Sequence, residues 1–110
     1  MNQNPTLNPP EAMAEIRFEQ GWNLTPAGTA NPLRYWSHVH FEDDPKWGQE
    51  LWTLFVELDK APEPQQQVYL AKVFFMAPKA PHHFFRPGQK FDLCVGPMVK
   101  AHGVIKELCS

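Results

Sequence analysis

The run His38-Val39-His40-Phe41-Glu42 gathers the side chains best suited to chemistry. On an extended chain alternate residues share a face, so His38, His40 and Glu42 would project together. Two imidazoles and a carboxylate are the ligand set of many zinc and non-haem iron sites. A solvated edge-strand face produces the same pattern, and no metal is assigned; a small metal-dependent barrel enzyme stays open as an alternative. The second histidine pair, His82-His83, lies in a proline-rich stretch just before Phe84-Phe85. Adjacent side chains on an extended chain point apart, which makes that pair a poor chelate. Phe84 or Phe85 is expected to plug one end of the core, with both histidines in water. Cys94 is placed on an outer face with no base beside it, so it is not read as a nucleophile. The pattern assigns no catalytic residue and no cofactor.

The four tryptophans carry a different message. Trp36 falls on the polar face of its segment, and Trp47 falls in a turn next to Gly48. Both stand near the acidic pair Asp43-Asp44. Exposed tryptophan with acidic neighbours fits a protein-binding hot spot. The expected partner site is therefore Trp36, Asp43, Asp44 and Trp47, and the expected partner is a protein.

These residues need elements to hold them. Apolar and polar residues alternate with period two over 14–19, 33–42, 68–76, 91–95 and 99–106, which marks half-buried strands. In 51–59 a helical spacing competes, and the β-branched and aromatic content favours a strand. Over 33–42 the inward set is Leu33, Tyr35, Ser37, Val39 and Phe41. Residues 21–32, 43–46 and 78–88 read as loops and turns from their Pro, Gly and Asx content. Gly96-Pro97 reads as a tight hairpin connection. Twelve of the 110 residues are proline, about twice the usual share. Apart from those in the first ten positions they fall between the proposed strands, which counts against a helical bundle.

The expected architecture is a single all-β domain, an antiparallel six-stranded β-barrel over 12–110, after a flexible tail at 1–11. The net charge of −2 shows no basic footprint, so nucleic acid is not expected as a partner. No apolar run is long enough for a membrane helix and no signal peptide is visible. Cys94 and Cys109 read as free thiols, which points to a reducing, cytoplasmic setting.

Three segments carry a resemblance: Tyr69-Leu-Ala-Lys-Val-Phe-Phe-Met, Phe85-Arg-Pro-Gly-Gln-Lys-Phe-Asp-Leu, and Gly96-Pro-Met-Val-Lys-Ala-His-Gly-Val-Ile. Together they resemble the final β-barrel domain of elongation factor Tu. There a "F-x-L-x-x-G" strand leads through a tight turn to a strand ending in "V-x-x-G-V-V/I". Phe91, Leu93 and Gly96, then Val99, Gly103, Val104 and Ile105, supply that pattern, and 14–19 is similar to the barrel's opening strand. The resemblance implies a free-standing barrel of that type. No phosphate-binding loop of the form Gly-x4-Gly-Lys-Ser/Thr occurs, which excludes GTPase activity for this chain alone. Residues 29–36 depart from the family's tRNA-holding segment, so no functional residue is carried over. Cupin barrels also carry an H-x-H strand followed by an acidic residue, a place Asp44 could take. The function expected is a non-enzymatic binding module, immunity-like or adaptor-like. A cupin-like metal enzyme and a translation-associated RNA or ribonucleoprotein accessory are the alternatives.

Overall fold

A computed structural model describes residues 10–19, 24–27, 33–46, 48–63 and 65–109. Its strands are β1 (Glu11–Phe18), β2 (Thr25–Pro26), β3 (Arg34–Phe41), β4 (Trp52–Leu58), β5 (Val68–Phe75), β6 (Lys90–Val95) and β7 (Met98–Cys109). Six of them close in the order β3-β4-β5-β1-β7-β6 and back to β3, every pairing antiparallel. Closure leaves few edge groups unpaired, which is how a small all-β chain avoids open sheet edges. β6 covers only residues 38 to 41 of β3, and β2 pairs with Tyr35 and Trp36 beyond it on the same strand. This extra two-residue strand lies in the stretch expected to be loop. The tail expected at 1–11 falls outside the described residues except for its end, where Glu11 already opens β1.

Period-two patterning sets the inside. In β3, Tyr35, Ser37, Val39 and Phe41 are buried while Arg34, Trp36, His38 and His40 are half-buried on the outer face. β1, β4 and β5 turn Ile16, Phe18, Leu54, Val56, Tyr69 and Val73 inward in the same way. Each such side chain contributes about 1.5–3 kcal/mol relative to exposure. Leu51 is exposed at 59% and Trp52 is the first strand residue, so 52–58 is a strand as its side-chain types suggest.

The 78–88 loop closes one end. A short 3-10 turn, His82–Phe84, buries Phe84, and both Phe84 and Phe85 enter the core instead of one of them. Phe84 stacks on Phe41 at 4.5 Å and Phe85 stacks on Phe75 at 4.9 Å. His83 is exposed, but His82 does not face water as expected. In a 3-10 turn residues i and i+3 eclipse, so His82 follows Phe85 inward. It meets Phe75 edge-on at 5.1 Å, and its buried Nε2 has no hydrogen-bond partner among the described residues.

Cys94 keeps the expected outer-face register, as the β3 partner of the outward His38, but it is covered. It is 4% exposed, and its neighbour Val95 is 42% exposed. The β6–β7 register shifts beside it: Leu93 faces Ala101 and Cys94 faces Val99, so Lys100 of β7 is the extra residue of a bulge. The β3–β6 register runs through unshifted, with Val39 opposite Leu93 and His38 opposite Cys94. The buried Ser37 Oγ donates to the Cys94 carbonyl at 3.1 Å, satisfying a polar group at the irregularity. Gly96, at φ 59°, then starts the turn. A positive φ followed by the fixed negative φ of Pro97 has the sign pattern of a type II′ turn, which matches strand twist. Gly103 is needed for space: a Cβ there would lie 2.2 Å from Cζ of Phe91, whose ring covers it in the core.

Candidate functional site

The outer surface of the barrel divides into two walls that share β3. The first runs over β3, β4 and β5. Trp36 is the register partner of Phe55, and Phe55 of Phe74, so three aromatic side chains form one row across three strands. All three are half-buried on the outside of the barrel. The Phe55 and Phe74 rings lie 5.3 Å apart. His38 meets Trp36 edge-on at 5.7 Å, and its Nδ1 is 3.5 Å from Thr53 Oγ1.

The next row is Arg34, Glu57 and Lys72, again consecutive partners. Arg34 donates from Nε and Nη2 to Glu57 Oε2 at 2.8 and 2.6 Å. The same guanidinium lies 5.1 Å from the Phe74 ring centre and 5.8 Å from that of Phe55. This places a cation over two aromatic faces. Lys72 pairs with Glu11 at 3.7 Å. The charges bordering the aromatic row are thus matched within the molecule, and what remains outward is ring surface.

The second wall runs over β1, β7, β6 and β3. Arg17, His102, Asp92 and His40 form one row of consecutive partners. Glu15, Val104 and Lys90 form the next, and the Glu42 backbone N–H donates to the Lys90 carbonyl at 3.0 Å, bringing Glu42 alongside. These residues line a groove of about 440 Å³. His102 has a carboxylate at each end of its ring: Asp92 Oδ1 at 2.7 Å from Nδ1, and Glu19 Oε2 at Nε2. The hydrogen bond to Glu19, then that to Asp92, raises the His102 pKa above 6.5, and partial burial opposes them weakly. Arg17, Lys90, Glu15 and Glu42 enter no ion pair among the described residues.

The residues singled out from the sequence scatter over this surface. Trp36 belongs to the aromatic wall. Asp43 and Asp44 lie in the turn after the far end of β3, and Phe41 at that end is about 17 Å from Trp36 at the usual rise of a strand. There they build a turn: the Lys46 N–H donates to Asp44 Oδ1 at 2.8 Å, and Arg86 reaches Asp43 at 3.4 Å, tying the turn to the 78–88 loop. Trp47 lies outside the described residues. The structure therefore does not bring Trp36 together with the acidic turn. His38 and His40 share the outer face as their spacing requires, but they take different neighbours, Thr53 for His38 and the row of Asp92 for His40. Glu42 stands past the end of β3. Among the described residues no three His, Cys, Asp or Glu side chains come together in a way that could hold a metal ion.

Phe55, Phe74 and the His102 group escaped the sequence reading. Phe55 and Phe74 had a usable signal, the same one that marked Trp36: an aromatic residue at the outward parity, between Thr53 and Glu57 or after Lys72. The His102 group had none, because Glu19 is far away in sequence and the pairing with Asp92 depends on the bulge.

Fold and surface together define a small closed antiparallel β-barrel with an aromatic wall and an ionic wall. Comparisons with known protein families, with curated proteins and with solved structures gave no match. Among the described residues no helix is long and apolar enough to cross a membrane.

Proposed function

We propose that this chain is a non-enzymatic binding module that recognises a protein partner through the outer face of β3, β4 and β5. One observation carries this: Trp36, Phe55 and Phe74 stand in a single register row on the outside of a barrel whose core is complete without them. Aromatic residues and arginine are the side chains enriched at interface centres, where they combine large contact area with little lost freedom. Arg34 is pre-positioned by Glu57 and by the two rings, which lowers the ordering cost of docking. The site so defined keeps Trp36 from the sequence-derived set and adds Arg34, Phe55 and Phe74. The resemblance of residues 69–105 to the last barrel of elongation factor Tu supports a barrel module of that kind, immunity-like or adaptor-like. The test is affinity capture from the native cell lysate with the wild-type chain and with Trp36→Ala/Phe55→Ala. A partner retained by the wild type and lost by the double variant supports the proposal. Equal retention by a folded double variant overturns it.

A further inference from the structure

We propose that His102 is a proton-operated clasp on the ionic wall, holding the end of β1 to β6 across β7 while it is charged and letting go of one side when it is neutral. The geometry is bilateral. Nδ1 faces Asp92 on β6 and Nε2 faces Glu19, the residue that follows β1. An imidazolium has two N–H donors and satisfies both carboxylates. A neutral imidazole has one donor and one lone pair, so one carboxylate must then face an acceptor. Asp92 sits within a strand paired on both sides, directly opposite His102 and His40. Among the described residues Glu19 is anchored by one backbone bond, its N–H to the Lys100 carbonyl at 3.0 Å. The arm that comes free is therefore Glu19, at the start of the connection to β2.

The surroundings set the response. From β1, Arg17 is the register partner of His102 and Glu15 lies two residues along. From β6, Lys90 lies two residues from Asp92. From β3, His40 faces Asp92 and Glu42 faces Lys90. On β7 itself Lys100 is the nearest charge. Arg17, Lys90 and Lys100 disfavour the imidazolium, while Glu15 and Glu42 favour it. The two direct carboxylates dominate, being in hydrogen-bond contact. Because the folded pKa lies above the 6.5 of an unperturbed imidazole, the stabilisation is fully present below pH 6.5. It is lost as the pH rises through the folded value. The exposure of His102 and Glu19 keeps it small.

The experiment is a pH titration of the full chain by NMR. It follows the His102 ring and the hydrogen-exchange protection of the Glu19 amide, with intrinsic exchange divided out. His102 should titrate above 6.5, fall with Glu19→Gln or Asp92→Asn, and fall further with both. Protection at Glu19 should drop about two- to fivefold as the proton leaves, and that step should be missing in Glu19→Gln. Glu19 is exposed, so this variant leaves the fold intact. A His102 that titrates at or below 6.5 overturns the clasp. So does a Glu19 amide whose protection crosses the titration unchanged.

Discussion

The two walls of the barrel use the same strand alternation to opposite ends. On the aromatic wall every bordering charge has a partner at home: Arg34 with Glu57, Lys72 with Glu11. Rings are what is left for another molecule. On the ionic wall the charges are the exposed feature: His102 joins Glu19 to Asp92 at the centre, while Arg17, Lys90, Glu15 and Glu42 enter no ion pair among the described residues. The difference shows that an outward parity says little about role. What separates the walls is whether the polar groups are already satisfied. Satisfied charge beside half-buried, outward aromatic rings costs little to desolvate and suits docking. Exposed, unmatched charge is expensive to bury and suits solvent and proton exchange.

The largest effect that can test this contrast is on binding. Trp36→Ala/Phe55→Ala is expected to weaken partner binding by about 30-fold or more, the size of a hot-spot loss. Arg17→Ala, on the other wall, should change it only slightly. Titration calorimetry of the captured partner measures both. Gly103→Ala comes next. It forces the Phe91 ring out of its seat beneath the ionic wall and should cost about 1–3 kcal/mol of stability in urea unfolding. The aromatic wall does not depend on that ring, so the remaining folded protein should bind its partner as before. Arg34→Lys keeps the charge and removes the planar group stacked on Phe55 and Phe74. A loss of about 0.5–1 kcal/mol is expected in the same unfolding measurement. The smallest test concerns the thiols. Burial, aided by the charge of Asp92, raises the Cys94 pKa, whereas Cys109 is only half-buried. A thiol reagent should therefore label Cys109 first, and Cys109→Ser should remove the fast phase.

Much of the barrel is legible in the sequence because burial and alternation are the same fact. Tyr69, Ala71, Val73 and Phe75 face inward as their spacing requires, and Gly96-Pro97 makes the expected hairpin. The bulge is half-legible. With a two-residue loop at Gly96-Pro97, Phe91 and Gly103 cannot both face inward as partners unless one strand carries an extra residue. Parity demands a bulge but does not say where. Its place, at Lys100 opposite Leu93 and Cys94, sets His102 opposite Asp92. β2 was not legible, since Thr25 and Pro26 make a strand only because β6 leaves part of β3 uncovered. The expected partner site linked Trp36 to Asp43 and Asp44 by closeness in sequence. An extended strand turns that closeness into distance, whereas the true neighbours of Trp36 in its row, Phe55 and Phe74, come from other strands.

The central claim is that the aromatic wall is the docking face. Its most direct test is hydrogen exchange of the chain alone and in complex with its captured partner. The account predicts new protection concentrated on β3, β4 and β5 around Trp36, Phe55 and Phe74, with β7 and β6 around His102 and Asp92 unchanged. Protection confined to the ionic wall, with the aromatic row exchanging as in the free chain, would contradict it.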